Sequence, residues 1–391
     1  MYTFDKLTNR LNTSSTKWDR YVQRDNITDV IPLWVADMDF ETVPEVTDVI
    51  IKRAKHSIFG YTDADDSVFE AICGWESRHH GVNLTKDNII LNTGVVYGLY
   101  QIIELLLTKN DKIIVQSPVY PPLFKTPLGL SRDVVFNELV REGTHYSIDL
   151  QDFEDKIKEN PEIKMYIMCN PHNPIGHCYT LEEINKIFDI CHKYNLWIVS
   201  DEIHADIIMP GCKHYSALQS EDKYHDKLIV LGSPTKTFNL AGLKISYALT
   251  KNSNFQKIFA TEAKASGLSS INIFAFEAIK ACYTYGDRWL EECIQYINDN
   301  FLYLDNYLKA NLPKIKFKIP ESTYLGWLDL SEYNLSDDFV SRLKIEAKVE
   351  FQSGSGFNKK YDKFIRINVA CHRSTLEEGL NRLKSWLDKN G

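Results

Sequence analysis

The chain has 391 residues, 44% of them hydrophobic, and a formal net charge of −8. That length exceeds one typical domain, so two domains sharing an interface are expected. The acidic balance, with no Lys/Arg-rich run, argues against a nucleic-acid partner. No apolar stretch approaches the roughly 20 residues that a membrane span needs.

Residues 1–6 lack the apolar core of a secretory signal. The eight cysteines are scattered and form no Cys-x-x-Cys pair. Reduced thiols in a cytoplasmic protein are therefore expected, with no disulfide framework and no metal site.

In chain order, residues 88–91 read as a short strand running into Asn92-Thr93-Gly94. A helical pattern follows, with Val96, Leu99, Ile103 and Leu106 on one face. A glycine turn feeding a helix offers free N–H groups to an anion, though many such turns bind nothing. Residues 112–116 and 164–169 read as further strands. Residues 180–194 read as a helix opened by a Thr180/Glu183 capping box.

The next strand, 196–200, ends in Asp201-Glu202-Ile203-His204. Residues 228–231 form another, ending in Gly232-Ser233-Pro234-Thr235-Lys236, and 245–250 a last one. Such alternation implies α/β layers around a mostly parallel sheet. Past Gly286 a helix-rich stretch leads to β segments at 324–330 and 364–369 and a final helix from Leu376. This reads as a smaller α/β domain, with 353–356 (Ser-Gly-Ser-Gly) as a flexible loop.

Ligands bind at the carboxyl ends of parallel strands, which would bring Asp201 and Lys236 to one edge. A lysine there forms a Schiff base if its pKa is lowered; otherwise it is a solvated surface lysine. Asp201 is either the acid partner of a pyridinium nitrogen or a helix N-cap.

Motifs in a fixed order extend this pattern. They are residues 34–40 (Trp-Val-Ala-Asp-Met-Asp-Phe), Gly60-Tyr61, 94–96 (Gly-Val-Val) and 117–122 (Ser-Pro-Val-Tyr-Pro-Pro). Residues 169–176 (Cys-Asn-Pro-His-Asn-Pro-Ile-Gly), 200–206, 235–239, 324–329 and 366–368 complete them. On these residues the chain resembles the fold-type I pyridoxal-phosphate enzymes of the class I/II aminotransferase family. It is most similar to their carbon–sulfur lyase branch, the MalY/PatB-type cystathionine β-lyases.

The resemblance implies the aspartate aminotransferase fold, with a large cofactor-binding domain over 46–285. Residues 1–45 and 286–391 would form a discontinuous small domain. It makes Lys236 the Schiff-base lysine and α-proton base, Asp201 the pyridinium partner and Tyr120 the ring-stacking group. Asn173 would donate to the ring oxygen, and His204 lie beside the ring.

Gly94, Val95 and Val96, with Ser233, Thr235 and Lys244, would bind the phosphate. Tyr61 would reach the phosphate across a homodimer interface, making a shared active site. Arg366 would take the substrate carboxylate, with Trp34 and Asp37 near it.

Three positions depart from relatives. Lys244 stands where arginine is usual, 177–179 reads His-Cys-Tyr, and the glycine-rich stretch before Arg366 is short. The implied activity is β-elimination from a cysteine S-conjugate, L-cystathionine above all. An aminotransferase would share every cofactor residue. A third reading is a regulatory role through protein contact, which no sequence feature supports.

Overall fold

A computed structural model describes residues 2–265 and 271–391. The large sheet has seven strands. They are β1 Ile89–Asn92, β2 Lys112–Ser117, β3 Val134–Glu138, β4 Ile163–Cys169, β5 Trp197–Asp201, β6 Leu228–Gly232 and β7 Ser246–Leu249. Their spatial order is β1-β7-β6-β5-β4-β2-β3. The strands from β6 to β3 are mutually parallel, while β7 runs antiparallel to both β6 and β1.

The inner strands read as near-continuous apolar runs because helices cover both faces of the sheet. Every residue of β6 and β7 is buried. The helix Leu181–Lys193 begins at the Thr180/Glu183 capping box that its sequence predicts.

The helix after β1, Val95–Leu106, buries Val95, Leu99, Ile102 and Ile103. The expected face through Val96 is thus rotated by about one residue, and Val96 is exposed. The β1 turn delivers Val95, not Val96, onto the sheet.

A second, three-stranded antiparallel sheet holds β8 Leu325–Asp329, β9 Gln352–Ser353 and β10 Phe364–Asn368, ordered β8-β10-β9. The expected flexible loop at 353–356 is instead part of this packed unit. A Cβ on Gly354 would lie 2.2 Å from Tyr361 O, so only glycine lets the turn sit there. The final helix spans Arg373–Asn390 and starts earlier than the apolar pattern indicates, at the N-cap His372.

Residues Ile31–Pro32 pair in parallel with Val349–Glu350. The chain just after that pair crosses to the large sheet. No helix among the described residues is long and apolar enough to cross a membrane. The eight cysteines are all free, and the described residues hold no metal-ligating cluster.

Candidate active site

Register sets the site. Cys169 pairs with Asp201, and Asp201 with Leu231, so β4, β5 and β6 end together. The turns that follow them, with the one after β1, enclose a cavity of about 510 Å³. Gly94, Val95, Val96, Tyr120, Asn173, Asp201, His204, Thr235, Lys236 and Lys244 all line it. Gly94 has φ 153°, a conformation that favours glycine, and opens into free space. The helix it caps points its first N–H groups toward the cavity, a seat for an anion.

Lys236 is half-buried, and its Nζ donates to Ala36 O over 2.5 Å. Burial lowers its pKa to about 8; Asp37 and Asp201 pull the other way, while Arg366 and Lys244 assist. Asp201 is 3% exposed and accepts from one described donor, Ile203 N, at 3.2 Å. Burial pushes that carboxyl up to about 7. It is thus a buried acid in need of a cation.

His204 is buried, edge-on to Tyr324 at 6.0 Å, with Nδ1 lacking a partner. Burial, Lys236 and Arg366 keep its pKa well below the usual value, so it is neutral.

Arg366 projects from β10 and is 4% exposed. Nη1 donates to Asn173 Oδ1 at 3.0 Å and Nη2 to Trp34 O at 3.2 Å. Its guanidinium lies over the Phe357 ring at 5.0 Å. Nε has no partner, and among the described residues no carboxylate forms a salt bridge with this buried cation. Burial lowers its pKa to about 10. A buried, unpaired guanidinium is suited to a carboxylate ligand.

Five expected site residues fall outside the lining; Arg366 is one of them and meets it through Asn173. The Ser233 hydroxyl donates to Ile245 O at 2.7 Å, accepts from Thr235 N at 3.1 Å, and does not line the cavity. It caps the short helix Pro234–Thr237. Trp34 and Asp37 also lie outside the lining; Trp34 reaches Arg366 through its carbonyl alone. Tyr61 is fully exposed and is not part of this chain's own cavity lining.

Residues 34–40 form a strap whose backbone serves both sheets. Ala36 O also accepts from Tyr324 OH at 3.0 Å. Asn368 Nδ2 donates to Val35 O and Asp37 O at 2.6 and 2.7 Å. Asn239, three residues past Lys236, bonds both Met38 N and Met38 O. Carbonyl partners leave no mark in a sequence, so Ala36 was not foreseeable. Tyr97 and Tyr100, stacked at 5.8 Å, also line the cavity and were missed. Tyr100, four residues after Val96 and three after Tyr97, shares a helix face with each, which is the signal that finds them.

The sequence profile of aminotransferase class I and II matches residues 28–383. Cystathionine β-lyase PatB of Bacillus subtilis is 36% identical over 385 residues, covering 98% of this chain and 99% of the relative. The PLP-bound C–S lyase of Staphylococcus hominis superposes with a TM-score of 0.92 at 31% identity, covering 99% of this chain and 98% of that one. Cystalysin of Treponema denticola, which contains pyridoxal 5'-phosphate, does so with a TM-score of 0.94 at 32% identity, covering 99% of each chain.

Proposed function

Because this chain belongs to the aminotransferase class I and II family, we propose that it is a pyridoxal-phosphate-dependent carbon–sulfur lyase. It acts by β-elimination on cysteine S-conjugates, L-cystathionine first among them. The whole-length similarity to PatB carries the choice of lyase over aminotransferase. Water and L-cystathionine give homocysteine, pyruvate and ammonia.

The side chains fit the cofactor. A lysine of lowered pKa, a buried acid without a cation and an open glycine-capped helix N-terminus face one cavity. We assign Lys236 as the covalent tether and Asp201 as the ring-nitrogen partner. Tyr120 covers the ring, while Asn173 and His204 flank it. Val95 and Val96 N–H groups, Thr235 and Lys244 hold the phosphate.

Bound pyridoxal phosphate supplies the electron sink that lets the α-proton leave. Arg366 binds the substrate carboxylate through Nε and its forked nitrogens, which orients the α-carbon. Lys236 Nζ takes the α-proton, and its lowered pKa keeps a neutral fraction ready near pH 7. The thiolate departs from the β-carbon.

Residues 46–285 form the cofactor-binding part in this reading, and the protein works in the cytoplasm as a homodimer. The exposed Tyr61 completes the partner's phosphate site. Sedimentation of active protein as a monomer would remove that role.

The deciding experiment measures pyruvate release from L-cystathionine by cofactor-loaded protein without a keto acid. Steady multiple turnover supports the lyase. Product only after keto-acid addition means an aminotransferase.

A further inference from the structure

Asp37 follows Ala36, whose carbonyl receives the Lys236 amine. Its carboxylate is outside the cavity lining yet near enough to favour the charged Lys236 amine. Arg10 grips it from the far side, with Nη2 at 2.9 Å from Oδ2 and Nη1 at 3.2 Å from Oδ1. Lys17 approaches to 3.7 Å. Both Arg10 and Asp37 side chains are about one-fifth exposed (21% and 20%). Neither position is a sealed core site.

Asp39, the neighbouring acid, shares Arg10, whose Nη1 lies 2.7 Å from its Oδ1, but is also held by Lys17 at 2.9 Å and Trp18 Nε1 at 2.9 Å. Loss of Arg10 therefore leaves Asp39 paired and Asp37 less neutralised.

We propose that the Arg10–Asp37 pair is an electrostatic tuner of Lys236, acting from behind the strap without touching substrate. Asp37 favours the protonated amine, and Arg10 limits that pull by sharing the carboxylate. The other charges facing the amine are Asp201, which favours the proton, and Arg366 and Lys244, which oppose it. His204 is neutral and Tyr120 un-ionised on the same cavity wall. The pair is the one set of these groups outside the proposed chemistry, so it can be altered without removing a reacting atom.

The inference deepens the proposed function and rests on Lys236 being the tether, yet its test is separable. In the loaded enzyme, the midpoint of the Lys236-dependent absorption band is titrated against pH. Arg10→Gln should raise the midpoint and Asp37→Asn lower it, each by about half a pH unit. The double variant should return close to wild type. A merely structural role would move both singles the same way. Shifts of the same sign, or none, overturn the proposal.

The same variants are assayed without cofactor, by the pH dependence of Lys236 acetylation read by peptide mass. If added cofactor gives no band that Lys236→Ala removes, the enzymatic reading fails. The order of the acetylation midpoints still decides the tuning.

Discussion

Arg366 and Asn173, 193 residues apart in sequence, meet through one hydrogen bond of 3.0 Å, Asn173 lining the cavity and Arg366 lying just outside its lining. Arg366 belongs to β10 of the small sheet, and Asn173 to the turn after β4 of the large one. The guanidinium proposed to receive the substrate carboxylate is thus aimed by the turn proposed to flank the cofactor.

Arg366→Lys keeps the charge but loses the fork and the aim. We expect kcat/KM to fall about a hundredfold, in line with the cost of damaging a buried charge contact. The cofactor absorption band should persist. A loss within about threefold would show that carboxylate recognition lies elsewhere.

Asp201 titrates near 7 when folded, well above the value of about 3.9 for a free carboxyl. The folded protein therefore holds an extra proton between those values. The stability this gives is present at low pH and is lost as pH rises through about 7. In cofactor-free protein, Asp201→Asn should gain in melting temperature relative to wild type as pH climbs from 4.5 toward 7.5. A difference that stays flat across that window would contradict this placement of the acid.

His177 stands between Glu321, at 2.9 Å, and Glu183, at 3.5 Å. Burial opposes its charge, but the two acids win and raise it to about 9. Both acids, against the same burial cost, are held down to about 2 by His177 and nearby N–H groups. The gain is full between about pH 4.5 and 6.5 and fades as pH rises through 9 or falls through 2. His177→Gln should cost about 1–2 kcal/mol at pH 6, after discounting for partial exposure. At pH 10 it should cost almost nothing, which chemical denaturation at the two pH values checks.

Thr180 and Glu183 cap their helix reciprocally, at 3.2 Å and 2.8 Å. Thr180→Ala should cost about 1 kcal/mol in urea unfolding. Glu183 serves both this cap and His177, so Thr180→Ala and His177→Gln should combine non-additively. Strict additivity would mean the two contacts do not share that carboxylate.

The strand-end rule made much of the site legible. Asp201 and Lys236 each follow an apolar run, and parallel register alone brings them to one edge. The capping box and the strands at 112–116, 164–169, 196–200, 228–231 and 245–250 follow from local patterns of the same kind, whereas the edge strand Val134–Glu138 is not among those expected. Ser233 shows the limit: a hydroxyl beside the lysine has two sides to face, and a hydrogen bond to Ile245 O decides it. Residues 353–356 look flexible because glycine and serine favour loops, yet Gly354 is small for close packing against Tyr361. Trp34 and Asp37 mark the right segment, but what that segment offers the cavity is backbone carbonyl.

The pairing of Ile31 with Val349 has a consequence for how the molecule comes into being. The strap is synthesised well before its donors Tyr324, Arg366 and Asn368, which lie 288 to 333 residues further along the chain. Residues 34–37 therefore lack these three partners until the downstream segments exist. Contacts of such long sequence separation form slowly, so the wall behind Lys236 is expected to close late in folding.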